Sequence, residues 1–257
     1  MRGKFAIMHI PKCAGTALGE LISTRYGAGA IERATADQPP LTAYKAPVVI
    51  GHFAVASVLP GMHGKSWVEE HGRRLITFMR DPVDRVISHY YYLRHRARSG
   101  IGAHDGGVVQ ELAGILPFND FLCSDVPAVR MKMANVQAWM FIRHLGIARV
   151  KRLARWTSDE LVALGIENMC RFDFVGLTEC FDADVRQLNT LYGWDLPLPT
   201  ISCNQTPDRP RASDLDGDTL NLIRGITRLD ARLYQHARYV LGPLRAIDDR
   251  HKNILQK

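Results

Sequence analysis

Three short segments carry residues whose types and spacing suit anion chemistry. The first is Pro11-Lys12-Cys13-Ala14-Gly15-Thr16-Ala17, which follows the apolar run Phe5 to Ile10 and precedes the helical spacing of Leu18, Leu21 and Ile22. Small residues let backbone N–H groups approach an anion, a helix N-terminus adds positive potential, and Lys12 and Thr16 supply a charge and a hydroxyl. The second is Arg80-Asp81-Pro82, with Ser88 two helical turns further on. Asp81 suits a helix cap and Pro82 the first helical position, which puts Arg80 at a strand's end and Asp81, Asp84, Arg85 and Ser88 roughly on one face. Arg80 and Ser88 together suit one phosphate. The third is His52, directly after Val48-Val49-Ile50-Gly51, where an imidazole can take a proton from an alcohol. His9, inside the first strand, is the weaker candidate.

These segments need a scaffold that brings strand ends together. Apolar runs at Phe5 to Ile10, Val48 to Ile50, Leu75 to Met79 and Phe172 to Leu177 have strand length, and helix-like stretches follow them. The alternation predicts an α/β fold: a central parallel sheet flanked by helices, with ligands beyond the carboxyl ends of the strands. Helices are predicted over Pro117 to Cys123, Lys132 to Arg143, Ser158 to Cys170, Asp182 to Tyr192 with Gly193 as stop, and Ser213 to Leu241. The Pro-rich stretch from Trp194 to Ser213 reads as an ordered loop or lid, with Arg209 and, from the helical middle, Gln137 as candidate donor or acceptor contacts.

At 257 residues and 46% hydrophobic, the chain fits one domain over residues 1–257. No apolar run approaches the roughly 18 residues of a membrane span, and a cytoplasmic protein beginning at Met1 is expected. The five cysteines are scattered and lack Cys-x-x-Cys spacing, and no His-Glu-x-x-His occurs, so no metal is expected. A formal charge of +7 favours anionic partners. The basic segment from Arg143 to Arg155 reads as an amphipathic helix or as a platform for an acidic acceptor. The first segment departs from Gly-x-x-x-x-Gly-Lys-Ser/Thr because its lysine precedes the small residues, which demotes an ATP-dependent small-molecule kinase without removing it. A noncatalytic protein binding nucleic acid or another anion through its basic surface is the reading from another class.

With "HIPKCAGT" at 9–16 and "RDPVDRVISHYYYLR" at 80–94, the chain resembles the carbohydrate sulfotransferases of the family that includes heparan sulfate 2-O-sulfotransferase. Further likeness lies in "GHF" at 51–53, "NVQAWMF" at 135–141, "FDFVGLTECFDADVRQLNTLYGW" at 172–194 and "LDARLYQHA" at 229–237. The resemblance implies a P-loop-like sulfotransferase fold that uses 3′-phosphoadenosine 5′-phosphosulfate (PAPS) as sulfuryl donor, without a metal. It implies that Lys12, Cys13, Ala14, Gly15, Thr16 and Ala17 surround the 5′-phosphosulfate and that Arg80 and Ser88 hold the 3′-phosphate. It further implies that His52 is the general base and that Lys12 stabilises the departing oxygen. The acceptor it implies is a hydroxyl, most simply of a saccharide. Nucleic acid is not an expected partner, and any membrane contact would be peripheral, at an anionic surface.

Overall fold

The structure is a computed structural model, and it describes residues 3–34, 44–53, 71–102, 107–142, 155–198, 206 and 209–240. Five parallel strands form one sheet: β1 (Lys4–Met8), β2 (Ile31–Ala34), β3 (Val48–Gly51), β4 (Arg73–Met79) and β5 (Phe174–Leu177), in the order β2-β3-β1-β4-β5. Beyond their first residues the inner strands are buried and mostly apolar because both faces are covered, as parallel sheets require. Phe5, Ile7, Val49 and Ile76 are at most 1% exposed. The expected α/β architecture, a central parallel sheet flanked by helices, is present.

β2 went unread in the sequence for a physical reason. It is a sheet edge with the sequence Ile-Glu-Arg-Ala and one buried residue, so it lacks an apolar run. β4 begins two residues before the apolar run, at Arg73, and Arg73 is itself buried with its guanidinium donating to the carbonyls of Tyr44, Ala46, Pro47 and Phe5. β1 stops at Met8 rather than Ile10, and that difference frees His9 and Ile10 to turn into the loop.

Helices connect and cover the strands. They are α1 (Gly15–Tyr26), α2 (Pro82–Arg98), α3 (Gly107–Ile115), α4 (Phe118–Leu122), α5 (Pro127–Met133), α6 (Val136–Ile142), α7 (Ser158–Met169), α8 (Phe181–Tyr192), α9 (Gly217–Ile226) and α10 (228–240). The single helix expected over Lys132 to Arg143 is two, because Asn135 takes a left-handed backbone with φ of 48°. Its side-chain oxygen accepts from the amides of Leu229 and Asp230, capping the start of α10. The expected Ser213 to Leu241 helix likewise breaks at Thr227, whose backbone leaves the helical region. α7 starts at Ser158 as expected, with a full capping box from Thr157 to Glu160.

Of the basic segment from Arg143 to Arg155, all but Arg155 lies outside the described residues, and so do residues 199–205, 207 and 208 of the Pro-rich stretch from Trp194 to Ser213. Among the described residues, no helix is long and apolar enough to cross a membrane.

Candidate functional site

The carboxyl ends of β1, β3 and β4 supply the candidate residues. β1 runs out through His9 and Ile10 into Pro11, and the chain then turns sharply: Lys12 and Ala14 both have left-handed backbones, with φ of 68° and 58°. Such a conformation costs a non-glycine residue on the order of 1 kcal/mol, and two within three residues is a local strain of the kind that ligand-holding loops carry. Ala14 is the N-cap of α1, and its methyl side chain cannot accept a hydrogen bond from the helix start. The first intrahelical bond runs from Leu18 N to Ala14 O at 3.0 Å. The amides of Gly15, Thr16 and Ala17 therefore have no acceptor within the helix. Thr16 is exposed beside them.

Cys13 points the other way. It is 1% exposed, and its thiol donates to Gln137 Oε1 at 3.5 Å. Burial pushes that thiol up to about 12, which keeps it protonated and un-nucleophilic. The loop therefore offers a ligand the backbone at position 13 rather than the side chain.

Gly15 has a steric duty of its own. A Cβ there would meet the His9 ring at 2.1 Å, so His9 fills the space under the loop that the missing side chain leaves. Burial, with His52, Arg33 and Lys12 nearby, lowers His9 to about 3, so its ring is neutral. The same ring stacks on His52, with centroids 4.5 Å apart and planes 24° from parallel.

His52 follows β3 and is exposed. Its Nδ1 lies 2.6 Å from the carbonyl oxygen of His9. A carbonyl can only accept, so Nδ1 carries the proton and Nε2 keeps its lone pair. The backbone just past β1 thereby sets the base-competent tautomer of a side chain just past β3.

Cations converge on the loop. Lys12 Nζ rests over the Tyr92 ring at 3.9 Å from its centre. Burial, then Arg80 and Arg209, lower Lys12 to about 8. Arg80 Nη1 donates to Lys12 O at 3.3 Å, and Arg80 Nε is buried without a partner among the described residues. Arg209 is lowered by burial and by Arg80, against the pull of Asp84, whose carboxylate is 3.6 Å away. Cations gathered this closely mark a place where an anion would relieve the repulsion.

The residues of α2 diverge more than helical spacing implies. Asp81 is the cap, its Oδ1 accepting from Val83 and Asp84 amides, and Asp84 faces Arg209. Arg85 is fully buried and donates to the carbonyls of Lys132 and Met133 at the end of α5. Ser88 is 5% exposed and shares no hydrogen bond with Arg80. Gln137 is fully buried, so it is not a surface contact for an acceptor: its amide grips the backbone of Arg80 on both sides. Its signal in the sequence was a polar residue on the apolar face of a helix. Beside Asp81 a cleft of about 630 Å³ opens between Val83, Leu177, Glu179, Leu220 and Tyr234.

No protein-family profile matches the chain, and no curated protein matches it in sequence. Among solved structures, mouse sulfotransferase SULT7A1 complexed with PAP is similar over 89% of this chain and 83% of that chain, at 13% identity and a TM-score of 0.31. Likeness of that size assigns neither activity nor ligand.

Proposed function

We propose that the chain is a sulfotransferase that moves a sulfuryl group from PAPS to a hydroxyl, most simply that of a carbohydrate or glycoconjugate, and releases adenosine 3′,5′-bisphosphate. The observation that carries the reading is the start of α1, which has no side-chain cap from Ala14, set beside the gathered cations Lys12, Arg80 and Arg209 and next to a histidine whose Nδ1 is held by the His9 carbonyl. The resemblance of the loop and of the Arg80 segment to carbohydrate sulfotransferases supports it.

In this reading the amides of Gly15, Thr16 and Ala17 and the Lys12 ammonium hold the 5′-phosphosulfate, while Arg80, with Ser88 on α2, takes the 3′-phosphate. The cleft beside Asp81 has the size of a small-ligand site and would take part of the nucleoside. The acceptor oxygen forms a bond to sulfur as the bond from sulfur to the bridging oxygen breaks. The hydroxyl proton passes to His52 Nε2. The electron pair stays on the departing phosphate oxygen, which Lys12 stabilises. Positioning and preorganised charge supply most of the acceleration, as in phosphoryl transfer.

Thermal denaturation with adenosine 3′,5′-bisphosphate, magnesium-ATP and an oligonucleotide tests the reading. A ligand at 100 times its Kd stabilises the native state by about 2.7 kcal/mol, worth several degrees in a chain this long. The bisphosphate is expected to give the largest shift. A larger shift with magnesium-ATP would favour a kinase, and one with the oligonucleotide alone would favour a nucleic-acid-binding protein.

A further inference from the structure

Gln137 is a neutral amide whose side chain bonds to two separate segments of the site and, behind them, to the buried Asp230. Its Oε1 accepts from Arg80 N at 2.9 Å, and its Nε2 donates to Arg80 O at 2.8 Å. This reciprocal pair holds the backbone at Arg80, three residues beyond Thr77, where the β1–β4 ladder ends. The same Oε1 accepts the Cys13 thiol at 3.5 Å. One buried side chain therefore touches both the loop after β1 and the residue after β4.

The position of Gln137 is itself fixed from behind. It lies in the first turn of α6, and the next residue, Ala138, donates its amide to Asp230 Oδ1 at 2.7 Å. Asp230 is fully buried in the first turn of α10, a turn that Asn135 caps. The chain of contacts runs from Asp230 to α6, through the Gln137 amide, and then divides toward Arg80 and Cys13. No other side chain among the described residues bonds to the Arg80 backbone and to the Lys12 loop at once.

We infer that Gln137 is a positioning residue that holds the Lys12 loop and Arg80 in one register, so that two anionic groups on one ligand are met together. This rests on the reading of the site as a two-anion site. Gln137 reaches no ligand in this role. It acts through the backbone of Arg80 and the thiol of Cys13, and a glutamine suits it because it donates and accepts without bringing a charge into the interior.

The test pairs a mechanical readout with a functional one. Gln137→Met keeps length and volume while removing the amide's hydrogen bonds to Arg80, Cys13 and Asp230. Hydrogen exchange is followed in peptides spanning 9–18 and 76–84, alongside calorimetry with adenosine 3′,5′-bisphosphate. The variant is expected to exchange faster in both peptides and to bind the bisphosphate about tenfold more weakly, the size of one lost buried hydrogen bond. Donor KM should rise with kcat changed less. Cys13→Ala cuts only the loop arm, so it should loosen 9–18 and leave 76–84 protected, and it serves equally if Gln137→Met folds poorly. Unchanged exchange in both peptides, or faster exchange with bisphosphate affinity and donor KM intact, overturns the assignment. Failure of the wild-type protein to bind the bisphosphate would strike the sulfotransferase reading instead, while exchange in the two variants would still decide whether Gln137 joins the segments.

Discussion

At the scale of the residue, the feature that most shapes the chemistry is a backbone atom. The His9 carbonyl holds the proton of His52 on Nδ1, so the lone pair on Nε2 is the one presented outward. His52→Ala removes the proposed base but none of the proposed donor contacts. General-base catalysis contributes roughly 10² to 10⁴ in rate, so turnover of PAPS is expected to fall by that order while bisphosphate affinity stays within a few fold. Calorimetry that shows product binding lost in parallel would make His52 part of the donor site and not the base.

At the scale of the element, the start of α1 and the end of β1 are built as one unit. Gly15 opens the helix, and the ring of His9 occupies the space that a Cβ would need. That ring has little freedom to yield, because it stacks on His52 on its other side. Gly15→Ala is therefore expected to destabilise the protein by about 1–3 kcal/mol, as overpacking does, and to lower turnover by displacing His9 and His52. A chemical-denaturation midpoint equal to that of the wild type would show that the ring moves freely. The same pairing explains why β1 ends at Met8 although Ile10 is apolar: pairing further along would leave no room for the turn at Pro11 to Ala14.

At the scale of the whole molecule, buried ionisable groups tie stability to pH. His9 is lowered from 6.5 to about 3, and burial holds His89 well below its ordinary value. Both bind fewer protons in the native state than in the unfolded state, so their contribution to stability is lost as pH falls below about 6.5. For His9 the loss is ~2 kcal/mol at pH 5, about 1.4 kcal/mol for each unit below its unfolded value. Asp230 works in the opposite sense. Burial raises it to about 6, and the penalty for ionising it fades as pH falls through that value. The melting temperature is expected to drop between pH 7 and pH 5, and to drop less in His9→Asn, which has no proton to gain. Equal drops in the two proteins would remove His9 as a source of acid sensitivity.

The sequence by itself determined the parallel α/β architecture, the strand–loop–helix at Pro11 to Ala17, the Asp81 cap with Pro82 behind it, and the placement of His52 and Arg80 just past strand ends. Those features are local: period, cap and turn chemistry are written in a few consecutive residues. Tertiary structure decided which neighbours each residue serves. Helical spacing put Asp81, Asp84, Arg85 and Ser88 on one side of α2, but the end of α5 draws Arg85 into the interior and Arg209 draws Asp84 outward. Gln137 gave only the signal of a polar residue among apolar ones, and the partners that fix its role lie 57 and 124 positions away. The helix breaks at Asn135 and Thr227 were equally hidden, since both residues tolerate a helix and only packing of α6 against α10 selects the break. Long-range partners are set by how the whole chain closes on itself, and no short window of residues contains that information.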